Sequence, residues 1–262
     1  MLGRELRRSA VRNLFDLTGK VALVTGGGRG LGEAISLGLA GAGADLVSAS
    51  RKLEACEAAA RKVEALGRQA LAVACHMGRW KEIEALVERA VERFGRIDVL
   101  VNNAATNPSP MSVQQVTEEF FDKLYDVNVK GPMRLAALVA ERMARTGGGS
   151  IVNVLTMGAF HGGPFVGIYT SSKAALLNLT QVMAREWAEQ GVRVNALAPG
   201  PFMTDMLRGG DKNLPGFIAT SAKSTILKRV AEPEEIVGSV LYLASQASSF
   251  VTGETLNVSG GM

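Results

Sequence analysis

The stretch VALVTGGGRGLG at residues 21–32 decides the fold, because a short apolar run leads directly into a glycine-rich turn. A helical pattern follows over residues 33–42. Glycine accepts positive φ angles and lets an anion approach the backbone, while a helix start offers unpaired N–H groups and a partial positive charge. The order of strand, glycine turn and helix therefore predicts a site for the pyrophosphate of a dinucleotide.

Short apolar runs alternate with longer amphipathic segments along the rest of the chain. This alternation is typical of βαβ units around a parallel sheet, and runs rich in β-branched residues suit strands that helices bury on both faces. We therefore predict an α/β fold with seven strands, at residues 21–25, 46–50, 70–75, 97–101, 151–155, 192–198 and 255–258.

The chain has 262 residues, which is long enough to bury one sizeable core, and no segment reads as a linker. We predict a single domain over residues 15–262 after a basic, mobile tail at residues 1–14. Residues 199–224 are rich in Gly and Pro. A long irregular segment of this kind predicts a substrate lid at about 200–224.

Composition excludes several classes of function. The net charge is +4, but the tail carries Arg4, Arg7, Arg8 and Arg12 against Glu5, so the remaining chain is almost neutral. With 5% aromatic residues and no basic stripe, we expect no nucleic-acid partner. The 2 His and 2 Cys are too few and too scattered for a metal site or a disulfide framework, which favours a cytoplasmic protein. No uninterrupted apolar run suits a membrane span.

Tyr169 and Lys173 are four residues apart within a segment, residues 169–190, that reads as a helix. Both side chains are therefore expected on one helix face. An unperturbed tyrosine titrates at about pH 10, and a neighbouring ammonium group favours the phenolate. The pair predicts proton transfer by the tyrosine.

The end of the second strand bears on which dinucleotide binds, because a carboxylate there accepts the ribose 2′-hydroxyl whereas an arginine pairs with a 2′-phosphate. The sequence at this point is Ser50-Arg51-Lys52, with no carboxylate. Arg51, assisted by Arg29, favours NADP(H) over NAD(H). The alternative is that Arg51 and Lys52 are solvated charges at the start of the next helix.

These motifs, together with Asn102-Asn103-Ala104-Ala105, Asn128, Thr156 and Pro199-Gly200, occur in the order and spacing of one family. The chain resembles the classical short-chain dehydrogenase/reductase family over residues 15–262. The resemblance implies a Rossmann-type doubly wound domain with strand order 3-2-1-4-5-6-7 and helices on both faces. It also implies hydride transfer between a nicotinamide and a carbonyl or alcohol.

The resemblance further implies four catalytic residues. Tyr169 would be the general acid and base, and Lys173 would lower the pKa of Tyr169 and hold the nicotinamide ribose. Thr156 would hydrogen-bond the substrate oxygen, and Asn128 would hold a water of a proton relay.

By the same resemblance, Asn102 would support the cofactor side of the cleft, and Thr204 would meet the nicotinamide carboxamide. The alternatives are that Asn128 is a polar residue that bends its helix and that Thr204 is the N-cap of the helix that follows. The cofactor-binding residues implied are Gly26, Gly28, Arg29, Gly30, Leu31, Gly32, Ser50, Arg51, Lys52, His76, Met77, Asn103, Ala104, Ala105, Tyr169, Lys173, Pro199, Gly200, Phe202 and Thr204.

Four positions depart from the commonest family pattern. Thr156 replaces serine, which keeps the hydroxyl but adds a methyl group, and Ala105 replaces glycine. His76 stands where aspartate usually accepts from the adenine amino group; a neutral imidazole could offer its acceptor nitrogen there, or a main-chain group could take over. Ser259 replaces an aspartate, and we assign it no function.

The substrate pocket is expected from residues 107–110, 157–163 and 202–218, and its apolar character suggests a moderately apolar ketone or secondary alcohol. Residues of this kind belong to a core as often as to a pocket. The candidate lining is Met157, Phe160, Phe165, Phe202, Met203, Met206 and Leu207.

Two alternatives to this function stay open: a 3-oxoacyl thioester reductase and a non-catalytic NADP-binding scaffold. By resemblance we expect a homotetramer, a dimer of dimers that pairs through helices at about 116–145 and 169–190. Apolar Leu176, Leu179, Val182 and Met183 suit either that interface or the face toward the sheet.

Overall fold

A computed structural model of the chain describes residues 14–107 and 111–262. The predicted basic tail, apart from Leu14, and residues 108–110 of the predicted pocket lie outside these ranges. The strands are β1 (Val21–Thr25), β2 (Asp45–Ser50), β3 (Ala70–Ala74), β4 (Val99–Asn102), β5 (Gly149–Val154), β6 (Val192–Pro199) and β7 (Thr255–Val258). The helices are α1 (Gly30–Gly41), α2 (Leu53–Ala65), α3 (Trp80–Phe94), α4 (Glu118–Tyr125), α5 (Gly131–Arg145), α6 (Gly167–Trp187), α7 (Asp205–Asn213), α8 (Phe217–Ser224) and α9 (Val237–Ala244).

The strands form one sheet in the order β3-β2-β1-β4-β5-β6-β7, and neighbouring strands are parallel. The predicted fold class and strand order are confirmed, and the predicted strand ends shift by at most two residues. The strand order reverses between β1 and β4, since β2 and β3 lie beyond β1 and β5 to β7 lie beyond β4. β1 and β4 are direct neighbours, with Leu23 paired to Leu100. Ligands of open parallel sheets bind outside the carboxyl ends of the strands at such a switch point.

Apolar residues pack on both faces of the sheet. One core cluster joins it to α3, α5 and α6, and the other joins it to α1 and α9. Leu176 and Met183 are buried in these cores and Leu179 packs against them, whereas Val182 is 38% exposed. Three of the four apolar residues offered for a subunit interface therefore pack inside the subunit.

The predicted lid is not irregular, because α7 and α8 occupy most of residues 200–224. The Thr204 hydroxyl accepts from the Leu207 N–H and caps α7, while Asp211 Oδ1 accepts from the Ile218 N–H of α8 at 2.9 Å. Gly216, with a φ of +85°, forms the turn between the two helices. Pro215 and Gly216 lie in this turn, whereas Gly209 and Gly210 lie inside α7 despite their low helical preference.

A buried carboxylate lies at the amino ends of the strands. Asp98 is 5% exposed and accepts from the Val21 N–H at 3.0 Å, Arg96 Nε at 2.8 Å and Lys20 Nζ at 3.3 Å. These contacts tie the starts of β1 and β4 together at the end of the sheet opposite the predicted site.

No helix within residues 14–107 and 111–262 has both the length and the apolar character needed to cross a bilayer. The same residues contain no group of three or more His, Cys, Asp or Glu side chains arranged to hold a metal ion.

Candidate active site

The glycine-rich turn forms the floor of the site at the carboxyl end of β1. Gly26 and Gly30 have φ angles of +67° and +53°, a region that side chains disfavour. A Cβ at Gly26 would lie 2.8 Å from Asn103 Nδ2, and one at Gly32 would collide with the Gly26 carbonyl. Helix α1 begins inside this turn, at Gly30, which is three residues before the predicted start at residue 33.

The start of α1 suits a negatively charged group. Its N-cap residue is Arg29 in extended conformation, and no side chain in the described part of the chain caps this end. The first-turn N–H groups thus lack helical acceptors and lie beside a turn without side chains. These residues fit the pyrophosphate of a dinucleotide.

Thr25 and Asn103 join the glycine turn to the loop after β4. The Thr25 hydroxyl accepts from the N–H groups of Asn103 and Ala104, each at 3.0 Å, and Asn103 Nδ2 donates to the Thr25 carbonyl at 2.9 Å. Asn102 points the other way: it is 1% exposed and its Nδ2 donates to Asn153 Oδ1 at 2.9 Å inside the sheet. The side chain of Asn103, rather than that of Asn102, therefore contacts the glycine turn.

Arg51 and Lys52 are exposed at the end of β2, where Ser50 Oγ donates to the Lys52 carbonyl at 3.0 Å. Across residues 14–107 and 111–262, no acidic side chain forms an ion pair with Arg51. Arg29 lies elsewhere, with its guanidinium 3.7 Å from Asp205 at the start of α7.

In this structure the imidazole of His76 offers adenine no free acceptor nitrogen, which leaves a main-chain group as the alternative at this position. His76 Nδ1 already accepts from the Gly78 N–H at 3.1 Å. A neutral imidazole has one acceptor nitrogen, so its Nε2 carries the hydrogen and can only donate. The acceptor nitrogen that we expected to face adenine is therefore occupied by the main chain of the turn after β3.

Several predicted cofactor residues turn their side chains away from the cleft. Met77 and Phe202 are 5% and 4% exposed and belong to the two cores, and Leu31 packs against one of them. Met77 and Phe202 therefore offer a ligand their main-chain atoms rather than their side chains. Phe202 is likewise removed from the predicted pocket lining.

Other predicted cofactor positions have close backbone packing. A Cβ at Gly28 would lie 2.8 Å from the Ala55 carbonyl carbon of α2, and one at Gly200 would lie 2.7 Å from Ser259 Cα. Pro199 is the last residue of β6. Ala104 and Ala105 are half-buried in the loop after β4.

Tyr169 and Lys173 lie in the first turns of α6, as the spacing predicted. Lys173 is 2% exposed, and its Nζ donates to the Val154 carbonyl at the end of β5 at 2.8 Å. Burial lowers the pKa of Lys173 to about 8 and raises the pKa of Tyr169 to about 12. The expected lowering of the tyrosine pKa is therefore not seen, because desolvation of the phenol dominates.

Thr156 lies just beyond β5, at the start of the short turn Met157–Ala159. Its hydroxyl accepts from the Gly158 N–H at 3.4 Å, a long contact. A Cβ at Gly158 would lie 2.6 Å from Thr170 Cγ2, so this turn packs against the first turn of α6 beside Tyr169.

Asn128 occupies a π-helical turn, Asp126–Lys130, between α4 and α5. It is fully buried; its Oδ1 accepts from the Thr106 N–H at 2.9 Å, and its Nδ2 donates to the Thr106 carbonyl at 2.9 Å and to Ser172 Oγ at 3.1 Å. Both amide hydrogens are used within the protein. Any water that Asn128 holds would need the remaining lone pair of Oδ1 or a main-chain group of the π-helical turn.

The comparisons with known proteins agree with this geometry. A family model described as enoyl-(acyl carrier protein) reductase matches residues 26–262. Dehydrogenase/reductase SDR family member 4 of Homo sapiens is 42% identical over 248 residues, which are 94% of this chain and 88% of the human protein. The chain belongs to the classical short-chain dehydrogenase/reductase family. It is an NAD(P)-dependent alcohol dehydrogenase or carbonyl reductase.

Solved structures with the same fold contain nicotinamide cofactors. A 7α-hydroxysteroid dehydrogenase complexed with NADH and 7-oxo glycochenodeoxycholic acid is 34% identical with a TM-score of 0.89, covering 95% of this chain and 96% of its own. A 3-oxoacyl (acyl-carrier-protein) reductase from Agrobacterium tumefaciens with NADP bound is 32% identical with a TM-score of 0.89, covering 96% and 97%. A nicotinamide cofactor is thus common to this short-chain dehydrogenase/reductase and its relatives.

The loops that border the site of this dehydrogenase/reductase carry exposed apolar side chains. Phe165 has a φ of +65°, which is rare for an aromatic residue, and its carbonyl accepts from the Met111 N–H at 2.9 Å. This bond ties the loop before α6 to the loop after β4. Phe165, Met206 and Phe160 are 60%, 49% and 39% exposed, so they remain candidate pocket residues.

Thr204, predicted to meet the carboxamide, caps α7 with its hydroxyl through the 3.4 Å bond from the Leu207 N–H. Its methyl side faces Gly30, where an added Cβ would lie 3.6 Å from Thr204 Cγ2. Thr204 therefore holds the start of α7 next to the glycine turn.

Sequence reasoning missed Thr25, Thr106 and Ser172, whose hydrogen bonds hold the site of this dehydrogenase/reductase together. Thr106 acts through its main chain, which leaves no signal in the sequence. Ser172 precedes Lys173 directly, but a serine inside a helix carries no distinguishing pattern of its own.

Proposed function

We propose that this chain catalyses NADP-dependent hydride transfer between a nicotinamide and a ketone or secondary alcohol of moderately apolar character. The observation that carries the proposal is the placement of Tyr169 and Lys173 on α6, against the turn of Thr156 and at the same edge of the sheet as the glycine turn. Exposed Phe160, Phe165 and Met206 around this edge support an apolar substrate.

A bound nicotinamide cofactor, held by the glycine turn and Lys173, would supply hydride to a carbonyl carbon in reduction or take it from a carbinol carbon in oxidation. Tyr169 gives its phenolic proton to the oxygen as the C–O double bond becomes single, and takes it back in reverse. Burial raises the pKa of Tyr169 to about 12, so its phenol is protonated at neutral pH and can act as the proton donor.

The neighbouring residues assist this proton transfer. Thr156 donates a hydrogen bond to the substrate oxygen and stabilises its developing negative charge. Lys173 holds the ribose hydroxyls and, when protonated, favours the phenolate left by Tyr169. Asn128, with Oδ1 still able to accept, supports a water that returns a proton to this pair.

The experiment that tests the reaction is hydride transfer with a panel of ketones and secondary alcohols, followed by NADPH absorbance. The parent is expected to turn over part of the panel, while Tyr169→Phe should lose at least about 100-fold in kcat. Tyr125→Phe is the matched control, because it removes a phenol whose hydrogen bond, within the described part of the chain, goes to Ser171 on the protein surface. Cofactor binding without turnover of any compound would favour the scaffold alternative.

The preference for NADP rests on exposed Arg51 at the end of β2 and on the lack of a carboxylate within Ser50-Arg51-Lys52. Arg51→Ala should raise the Kd for NADPH at least about tenfold and leave that for NADH almost unchanged. Arg61→Ala, on an exposed position of α2, is the control. Equal losses for the two cofactors would contradict the preference.

A 3-oxoacyl thioester reductase is the second candidate, because a structural relative carries that name and the matching family model describes an acyl-carrier-protein substrate. The near-neutral chain outside the tail gives little attraction for an acidic carrier protein. Adding a 3-oxoacyl thioester to the panel separates the two, since the preferred substrate is the one with the higher kcat/KM.

The oligomeric state and location are part of the proposal: a homotetramer, as a dimer of dimers, in the cytoplasm. Large apolar side chains are exposed on α4 and α6, at Phe121 and Val182, and near the C-terminus, at Phe250 and Ile226. Such surface favours burial between subunits. Light scattering with online chromatography measures the subunit number, and a monomeric mass would overturn this part.

A further inference from the structure

Ser172 lies on α6 directly before Lys173, and it is fully buried. Its Oγ donates to the Tyr169 carbonyl at 2.7 Å and accepts from Asn128 Nδ2 at 3.1 Å. One hydroxyl therefore connects the helical turn of Tyr169 and Lys173 to the π-helical turn.

The directions of these bonds are fixed by the groups involved. A serine hydroxyl has one hydrogen, and the Tyr169 carbonyl can only accept it. The Thr106 N–H can only donate, so it sets Asn128 Oδ1 toward Thr106 and leaves one Nδ2 hydrogen for Ser172. Without the serine oxygen, a fully buried amide hydrogen would lose its acceptor.

Three segments meet at this junction: the loop of Thr106, the π-helical turn of Asn128 and the first turns of α6. Phe165 and Met111 link the same loop to the entry of α6 further out. A shift at the junction would move Tyr169 relative to Thr156, whose own turn packs on α6 at Thr170.

Ser171, the preceding residue, provides an internal comparison. Its hydroxyl donates to the Ile168 carbonyl at 2.9 Å and accepts from Tyr125 Oη at 3.0 Å, so it has the same bonding pattern between α6 and a neighbouring helix. Ser171 is exposed, however, and water can replace its partners.

We propose that Ser172 is a positioning residue of the reaction, which holds Tyr169 and Lys173 in register with Asn128 and the Thr106 loop. This inference rests on the proposed function, in which Tyr169 transfers the proton. Misplacement of reacting groups by about 1 Å can cost about 100-fold in rate, so loss of the junction should reduce kcat more than binding.

The test compares Ser172→Ala with Ser171→Ala in the full chain, on the best substrate of the panel and far below the melting temperature. Ser172→Ala should lower kcat at least about tenfold while changing KM and the Kd for NADPH less than about threefold. The pH of half-maximal kcat should also move, because the proton donor is misplaced. Ser171→Ala should match the parent in all of these values.

Ser172→Cys keeps the side-chain size and a weak acceptor, so its kcat should fall between those of the parent and Ser172→Ala. It also serves if Ser172→Ala does not fold. A kcat within twofold of the parent, with an unchanged pH profile, in the folded Ser172 variant overturns the inference. A parent that turns over no compound contradicts the proposed function instead.

Discussion

Lys173 is a cationic side chain with almost no access to water. Its Nζ has a main-chain acceptor at Val154, but the surrounding protein solvates the charge less well than water does. Burial lowers its pKa from 10.5 to about 8, so the folded state binds this proton less tightly than the unfolded chain. Tyr169 is shifted in the opposite sense, from 10.0 to about 12.

These two shifts predict how stability depends on pH. Between pH 8 and 10.5 the unfolded chain binds more protons at Lys173, so the free energy of unfolding should rise with pH, by up to about 3 kcal/mol. Between pH 10 and 12 the folded state retains the Tyr169 proton that the unfolded chain has lost, so the contribution of Tyr169 to the free energy of unfolding should fall as the pH rises. Urea unfolding of the parent and of Lys173→Met from pH 7 to 10 measures the first part.

The difference in unfolding free energy, parent minus Lys173→Met, should increase toward pH 10. Lys52→Met removes an exposed ammonium group and serves as the control. A difference that stays constant across this range would mean that Lys173 is not a buried cation.

Spacing in the sequence predicted which residues share the site but not their protonation. Four-residue separation places Tyr169 and Lys173 on one helix face, and that follows from the helical period alone. The tyrosine pKa depends on how much protein covers the phenol, and the acceptor of His76 depends on a local main-chain turn at Gly78. Neither is encoded in the spacing of residue types.

Helix α7 begins directly over the glycine turn. Thr204 lies against Gly30, and the carboxylate of Asp205 lies 3.7 Å from Arg29 and 3.6 Å from Arg208. All three charged groups are exposed, so their attraction is weak and screened by salt. Exposed charges thus lie between the start of α7 and the start of α1.

We predict that Asp205→Asn lowers the Kd for NADPH about two- to fivefold at low ionic strength, because one negative charge next to an anion site is removed. The gain should shrink in 0.5 M salt, at roughly a 4 Å screening length. Fluorescence titration measures both values. Glu189→Gln, which removes the same charge at a remote exposed turn, should have no such effect; an equal gain there would contradict a local cause.

The elements were predictable to different degrees. Buried strands read clearly as apolar runs, since both of their faces are covered. Helices α7 and α8 could not be read in this way, because Gly209, Gly210 and Pro215 lower the intrinsic helical preference of the segment. Hydrogen bonds to Thr204 and Asp211 stabilise the starts of the two helices instead. The π-helical turn at Asn128 arises from packing between α4, α5 and α6 and has no signature in sequence.

In the whole molecule, the two ends of the sheet have separate tasks. The amino ends are held by Asp98 with Arg96, Lys20 and the Val21 N–H, while the candidate site occupies the carboxyl ends. The strand order itself came from family resemblance, because apolar runs do not state which strands are neighbours. Asp98 and its partners can accordingly stabilise the fold from the end of the sheet opposite the candidate site.

Asp98→Asn should lower the free energy of unfolding by about 2 kcal/mol, because charge-assisted bonds to a buried carboxylate are weakened. The kcat of the folded enzyme should remain within about twofold of the parent, since contacts at this end do not reach the reacting groups. Urea unfolding and initial rates measure the two effects. Glu141→Gln breaks an exposed pair with Arg145 and should cost less than about 0.5 kcal/mol.

The hydrogen bond from the Asn103 N–H to the Thr25 hydroxyl joins positions that are 78 residues apart in the chain. A dinucleotide on the glycine turn therefore rests on a surface that exists only after the carboxyl ends of β1 and β4 have come together. Such a ligand binds no unfolded chain, so at about 100 times its Kd it adds about 2.7 kcal/mol to stability. In a living cell, the half-life of this enzyme would then follow the supply of its own coenzyme, and starvation for the coenzyme would expose the chain to proteases.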